Sequence, residues 1–512
     1  VKVLLINSNS KADLLAAAPI GLCYVATATR QAGHDVRVLD LCFKKDVPTE
    51  LTNAITGFGP DVIGVSVRNI DNANMLHPQS YLSDASRVVQ QARRLSSAVI
   101  VVGGSGASLC PGEALRDLAA DFIVVADGEK SFPGLLDALQ NGSSFNDIPG
   151  VGFFRDGRFN STPPAFDGFS VSNPGLGSWI DMAPYQKVGS SYTVQTRRGC
   201  RFNCIYCSYN RSLEGKSIRL RQPREVVDEI EEAVMKFKPG GFEFVDSVFN
   251  DPIDHCVEIL EEIIRRPWKA RFTAMGVSPR QVDSKFLEIM WRAGFTSFMM
   301  TPESASESMI KNYVKGFSGD DLTRAVDALK STRFTVLWYF LIGGPGETNA
   351  TLKESLDFAT RRLAQKRRPP YHMANFYLGV RLYPNTRLWE IAQEERFVSP
   401  SSNPLDQLWY VSEELDLDRA VAQLTEAAAK FPEICLGFDE KYLLISKAVG
   451  FLGDLLKLPK PYWRHYWGAN NLLIKCGLRS VFQPGNIADE LRSALAHQGY
   501  RGRLLDGPSN AK

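Results

Sequence analysis

Three thiols stand within eight residues of this 512-residue chain: Cys200, Cys204 and Cys207, in "RRGCRFNCIYCSYN". Thiolates ligate soft metals, and four of them normally close an iron–sulfur cubane. The spacing of Cys204 and Cys207 also suits zinc. A structural zinc site, however, takes a fourth ligand, usually from a second Cys or His pair. The nearest candidates, His255 and Cys256, form no such knuckle. C-x3-C-x2-C therefore leaves one metal position open to an outside ligand, as catalytic metal sites do.

Almost two hundred residues precede this loop. In them "KVLLIN", "DVRVLDL", "DVIGVSV", "AVIVVGG" and "DFIVVAD" read as strands. Helical segments such as "GLCYVATATRQAG" and "DASRVVQQARRL" alternate with them, and Gly, Pro and Asp mark the joins. Strands and helices alternating at this length imply a parallel, doubly wound sheet. Such sheets bind ligands beyond the carboxyl ends of their strands. Gly103 and Gly104 end the fourth strand, where missing side chains allow close backbone approach, and Ser66 ends the third with a hydroxyl. No G-x-G-x-x-G follows the first strand, which disfavours a dinucleotide.

Composition narrows the class. Hydrophobic residues make up 44% and charged residues 23%; Lys and Arg total 59 against 57 Asp and Glu, a formal charge of +2. That gives no basic surface for nucleic acid, and runs such as "QKRRPP" read as solvated faces or loop edges. No apolar run is long enough to cross a bilayer, and the start has no signal-peptide layout. "LLISKAVGFLGDLLKL" reads as a core-facing amphipathic helix rather than a membrane-surface one. Cys23, Cys42, Cys110, Cys256, Cys435 and Cys476 are scattered. They suit free buried thiols in a reducing cytoplasm rather than a disulfide framework.

With Tyr206 beside the last cysteine, the motif resembles the radical S-adenosylmethionine (SAM) superfamily, whose pattern is C-x3-C-aromatic-C. The resemblance runs over roughly residues 190–395. It implies a [4Fe–4S] cluster on Cys200, Cys204 and Cys207 at the C-terminal mouth of a partial (β/α) barrel, with SAM chelating the open iron. Asp246 or Ser247, in "GGFEFVDSVFN", stands where the superfamily often places a Gly-Gly-Glu patch for the methionyl amine. Glu303 and Ser304 resemble residues that hold the ribose or methionyl carboxylate; Ser304 also suits a helix cap near Ser306. Ile342, Gly344 and Glu347 fit the tail of a G-x-I-x-G-x-x-E pattern that packs on adenine, with Phe340 at its first glycine. Arg381, in "NFYLGVRLYPNTRLWEIA", suits pairing with a carboxylate or a surface loop.

The first third resembles cobalamin-binding domains. Ser66 and Gly103-Gly104 match the second and third elements of the D-x-H-x-x-G, S-x-L, G-G pattern, with Arg68 in place of leucine. Gly128 and Glu129, in "VVADGEKSF", resemble its last strand and loop. The first element is absent, which implies cobalamin held without a protein histidine on cobalt. Arg68, Asn69, Asn72 and Asn74 lie on the loop expected to face the corrin. His77, the one histidine there, reads as a surface residue beside proline rather than a cobalt ligand.

The expected fold is α/β: a Rossmann-like cobalamin-binding domain over 1–140, a Pro- and Gly-rich linker over 141–185, a partial (β/α)6 TIM-like radical SAM barrel over 186–395, and a mostly helical region over 396–512. The expected function is methyl transfer from methylcobalamin to an unactivated carbon of a small molecule or peptide. An electron donor such as flavodoxin or ferredoxin would serve it, without nucleic acid or stable membrane insertion. Cyclisation, ring contraction or oxidation on the same cofactors is the enzymatic alternative. A non-catalytic cobalamin or iron–sulfur protein is the more distant one.

Overall fold

The computed structural model describes residues 1–10, 16–166, 168–364, 371–431, 433–437 and most of 448–476. The basic run 365–370, much of the amphipathic stretch 443–458 and the tail "GPSNAK" lie outside the described residues.

Seven strands form the first sheet: β1 (Lys2–Asn7), β2 (Asp35–Asp40), β3 (Val62–Ser66), β4 (Val99–Gly103), β5 (Phe122–Val124), β6 (Val151–Arg155) and β7 (Arg158–Ser161), in the order β2-β1-β3-β4-β5-β6-β7. The first five are parallel. Their side chains alternate between two apolar layers, because successive residues of a strand point to opposite faces. Leu4, Ile6, Ile63 and Val65 pack on one side; Val3, Leu5, Val62 and Val101 pack on the other. The order reverses between β1 and β3, the topological switch where open parallel sheets take ligands. There Asn7 pairs with Ser66, and Ser66 with Gly103, so the two predicted elements lie side by side at one edge. Inside the stretch expected as linker, the antiparallel hairpin β6–β7 completes this sheet.

A second parallel array follows. β8 (Tyr192–Val194), β11 (Phe242–Phe244) and β12 (Phe272–Ala274) form one sheet; β13 (Ser297–Glu303), β14 (Thr335–Ile342), β15 (Tyr371–Leu378) and β18 (Ile434–Leu436) form another. Isolated parallel bridges, Phe272 to Phe295 and Val277 to Met300, carry the pairing from one to the other. Among the described residues no ladder returns from β18 to β8, so the barrel is open. Phe242, Phe244, Phe272 and Phe295 form its aromatic outer layer beneath the helices; the Phe244 and Phe295 rings stack at 5.4 Å. Two short ladders, β9 (Arg197–Arg198) with β10 (Arg219–Leu220) and β16 (Val380–Arg381) with β17 (Trp409–Tyr410), frame the mouth. The region after 395 is helical at Leu417–Lys430 but also supplies β17 and β18. Two- and three-residue strands carry too little alternation to be read from sequence.

Buried polar contacts join the two arrays. Arg198 places Nη2 2.6 Å from Glu129 Oε1 and Nη1 3.2 Å from Asp127 Oδ1. Its guanidinium also lies over the Tyr24 and Phe169 rings. Tyr185 donates to Asp40 at 2.9 Å, and Trp179 Nε1 donates to Thr27 at 2.7 Å.

Candidate active site

One cavity of about 570 Å³ runs between the C-terminal edges of both arrays, within the range of enclosed ligand sites. Cys200, Cys204 and Cys207 line it from the barrel side; Ser66, Arg68, Gly103, Gly104, Gly128 and Glu129 line it from the first sheet.

The cysteine loop is held from beneath. Asp246 is buried, and its carboxylate accepts from Thr196 N (2.7 Å), Thr196 Oγ1 (2.8 Å) and Arg197 N (3.1 Å). Burial nonetheless raises its pKa, against those hydrogen bonds. Glu214 accepts from Gly199 N at 2.9 Å and from Ser247 Oγ at 3.2 Å. Gly199 has φ +88°, and a Cβ there would sit 2.0 Å from the Ser217 carbonyl oxygen, so only glycine fits the turn into Cys200. Arg197, fully buried, donates to the carbonyls of Val248, Asp251 and Gly199.

Behind the loop, Tyr206 packs edge-on against Tyr313 at 5.7 Å and accepts from Lys315 Nζ at 2.8 Å. Lys315 lines the cavity and forms an ion pair with Glu303. Tyr313 donates to the Leu341 carbonyl at 3.0 Å and accepts from Gly344 N at 3.1 Å. A Cβ on Gly344 would meet that ring at 2.4 Å. Gly344 thus builds the wall behind the cysteine loop, whereas Ile342 packs in the barrel's main apolar core.

Of the residues singled out from sequence, Tyr206, Asp246 and Ser247 also line the cavity, whereas Glu303, Ser304, Ile342, Gly344 and Asn72 do not. Ser304 is bonded to Ser355 at 3.0 Å and accepts from Ser306 N. Asn72 donates to the His77 carbonyl at 2.7 Å and accepts from Gln79 N at 3.1 Å, which shapes its own loop. His77 is not among the lining residues, while Arg68 is. Glu243, Gln195, Glu214 and Lys315 line the cavity without having been singled out. Single residues inside strands or after turns carry no local motif, so sequence offered no signal for them.

The residues fit the cofactors that the motifs imply. All three thiols are free and face one space, and burial pushes Cys207 up to about 12. Among the described residues no three Cys, His, Asp or Glu side chains converge tightly enough for a single metal ion. A cubane asks for less convergence, because each thiolate binds a different iron. On the opposite side, Ala18, Gly21, Gly64, Gly103, Gly104 and Gly128 leave a broad floor of small side chains. Gly104 has φ +96°, and a Cβ there would meet Val67 O at 2.7 Å. Such a floor suits a wide, flat ligand.

Residues 194–359 match the Radical SAM superfamily, and residues 14–136 match the B12 binding domain. The chain belongs to the cobalamin-dependent radical SAM enzymes. A cobalamin-dependent radical SAM enzyme carries a [4Fe–4S] cluster, SAM and cobalamin, and the cavity faces are the two matched regions. The chain is 27% identical to the uncharacterized methyltransferase PH0819 of Pyrococcus horikoshii over 383 residues, covering 73% of this chain and 78% of that one. It is 25% identical to the tryptophan 2-C-methyltransferase of Streptomyces laurentii over 447 residues, covering 75% and 73%. In fold it is similar to the radical SAM methyltransferase TsrM of Kitasatospora setae, solved with tryptophan and a SAM analogue. The TM-score there is 0.80 at 22% identity, with 93% of this chain and 99% of that one covered. No helix among the described residues is long and apolar enough to cross a membrane.

Proposed function

We propose that this cobalamin-dependent radical SAM enzyme is a C-methyltransferase acting on a small molecule. The observation that carries this reading is that the cysteine loop and the glycine edge of the first sheet line one cavity. Bound there, the cluster supplies an electron, SAM the methyl group and the means of hydrogen abstraction, and cobalamin the carrier that passes the methyl on.

The chain's own residues hold and orient. Cys200, Cys204 and Cys207 bind the cluster, and Asp246 and Glu214 fix the backbone that presents them. Ser247 and Tyr206, at the cavity wall, would help hold SAM; Glu303 acts through Lys315, whose ammonium it holds there. Ser66, Gly103, Gly104 and Gly128 would seat cobalamin, with Arg68, from the loop after β3, on the same side of the cavity. Glu129 acts by holding Arg198, which ties the cobalamin domain to the barrel. Enclosure between two arrays keeps water from the reacting groups. A flavodoxin or ferredoxin in a reducing cytoplasm would be the electron donor.

The test is anaerobic incubation of the reconstituted protein with reductant, cobalamin, methyl-labelled SAM and L-tryptophan, the ligand of the TsrM structure. Label on protein-bound cobalamin, and then on an organic product, is the expected result. Formation of 5′-deoxyadenosine with no label transferred would instead favour cyclisation, ring contraction or oxidation.

A further inference from the structure

Seven acidic and basic side chains besides Glu243 line the cavity with the cysteines: Arg68, Asp127, Glu129, Arg198, Glu214, Asp246 and Lys315. Four of them are carboxylates, and each is already engaged. Asp127 and Glu129 pair with Arg198. Asp246 accepts three hydrogen bonds from Thr196 and Arg197. Glu214 accepts from Gly199 N and Ser247 Oγ. Glu243 differs. Among the described residues no hydrogen bond or ion pair within the reach of a direct contact is made by its carboxylate. The charge that acts on it is the more distant Arg68.

Its position is set by register. Glu243 is the central residue of β11, between phenylalanines that face the helices. Alternation therefore turns it into the barrel. It pairs with Thr193 on β8 and Thr273 on β12, so the three stand at one level. Both threonines are nearly fully buried, and neither hydroxyl has a hydrogen-bond partner. The half-buried Glu243 carboxylate opens on the cavity beside Thr193, and the buried hydroxyls of Thr193 and, behind it, Thr273 lack partners, so this level offers a ligand an uncommitted carboxylate flanked by hydroxyls. Burying such groups unpaired is costly, and a ligand that supplies N–H groups removes the cost.

We propose that Glu243, flanked by Thr193 and Thr273, anchors the substrate by an ammonium or N–H group, so that the enzyme acts on a nitrogen-bearing molecule rather than a purely anionic one. This rests on reading the cavity as the substrate chamber of the methyl-transfer reaction. Burial pushes Glu243 up to about 7 against the pull of Arg68, which is the condition of a carboxylate awaiting a cation.

The test is equilibrium binding to the holoprotein at pH 8, read by isothermal titration with three probes of one ring and similar length. These are tryptamine (cation), tryptophol (neutral) and indole-3-propionate (anion). Tryptamine is expected to bind at least about tenfold more tightly than indole-3-propionate. Glu243→Gln should erase that preference, and Glu243→Asp should keep part of it. The affinity for SAM and the cobalamin absorption should stay as in the parent, which also shows the variants to be folded. Three equal affinities, no binding of any probe, or a preference that survives Glu243→Gln would overturn the proposal. So would a parallel loss of SAM affinity, which would give the carboxylate to the methionyl ammonium. Binding needs no turnover, so a failure of methyl transfer and a failure of this anchor are separate results.

Discussion

Arg381 Nε lies 2.8 Å from Asp71 Oδ2, across 310 residues of chain, with both side chains buried. One residue belongs to the loop after β3 and the other to the ladder at the barrel mouth, so the pair clasps the two halves beside the cavity. Tyr383 adds a longer contact to Asp71 at 3.4 Å, and Arg381 also donates to the Leu408 carbonyl at 3.2 Å. Removing one member of such a pair leaves the other charge buried alone, which costs about 3–5 kcal/mol. Arg381→Met should lower the unfolding free energy by that order, with a matching fall in the urea midpoint. Pairing it with Asp71→Leu should recover part of the loss, as measured by urea unfolding of the four proteins of the cycle.

Cluster ligation should separate the cysteines cleanly. Cys204→Ala removes a thiolate at the cavity, and iron and sulfide content with the visible absorption of the reconstituted protein should fall to background. Cys110→Ser, at a buried thiol outside the cavity, should leave the iron content at the parent value.

Gly104→Ala should weaken cobalamin binding while sparing the cluster. The methyl group would press on Val67 O, and a φ of +96° is strained for any side chain, by about 1–3 kcal/mol. Gel filtration with absorption at cobalamin and cluster wavelengths reads both at once. Equal loss of the two would mean general misfolding.

His372 makes stability depend on acid. It is buried at β15, accepts from Trp338 Nε1 at 3.0 Å, and is held down at about 4 by burial alone, against an ordinary 6.5. The unfolded chain therefore binds a proton that the folded one refuses. Stability present above pH 6.5 is lost as pH falls toward 4, by about 3 kcal/mol for this group. Denaturation midpoints between pH 7 and 4 should show the slope, and His372→Leu should flatten it.

Glu243 gives the opposite sense for ligands. Its ionised form predominates above about 7, with Arg68 and Tyr339 as the charged and titratable groups around it. Tryptamine affinity should rise between pH 6 and 8 and then level, whereas tryptophol affinity should stay nearly flat.

The cysteine loop was legible because its pattern is local: three thiols, an aromatic and a glycine turn within a dozen residues, all three thiols lining the cavity. Ser66 and Gly103 were legible for a related reason. Each ends an apolar run long enough to read, and a parallel sheet brings such ends to one edge. Asp246 reads differently once folded, for its carboxylate is occupied by the backbone of Thr196 and Arg197, about fifty residues earlier. Glu129 likewise meets Arg198 only because two separately wound sheets come edge to edge.

By itself the sequence determined the cofactors, the order of the two α/β units and the edge at which each presents its ligand. The cofactors follow from the family resemblance that the cysteine loop and the serine and glycine elements carry; the order of the units and their ligand edges follow from periodicity and punctuation along the chain. Only the tertiary structure decided which carboxylates are spent on holding the fold and which one, Glu243, is left facing the cavity. A hydrogen bond between distant segments depends on where they pack, and no local pattern records that.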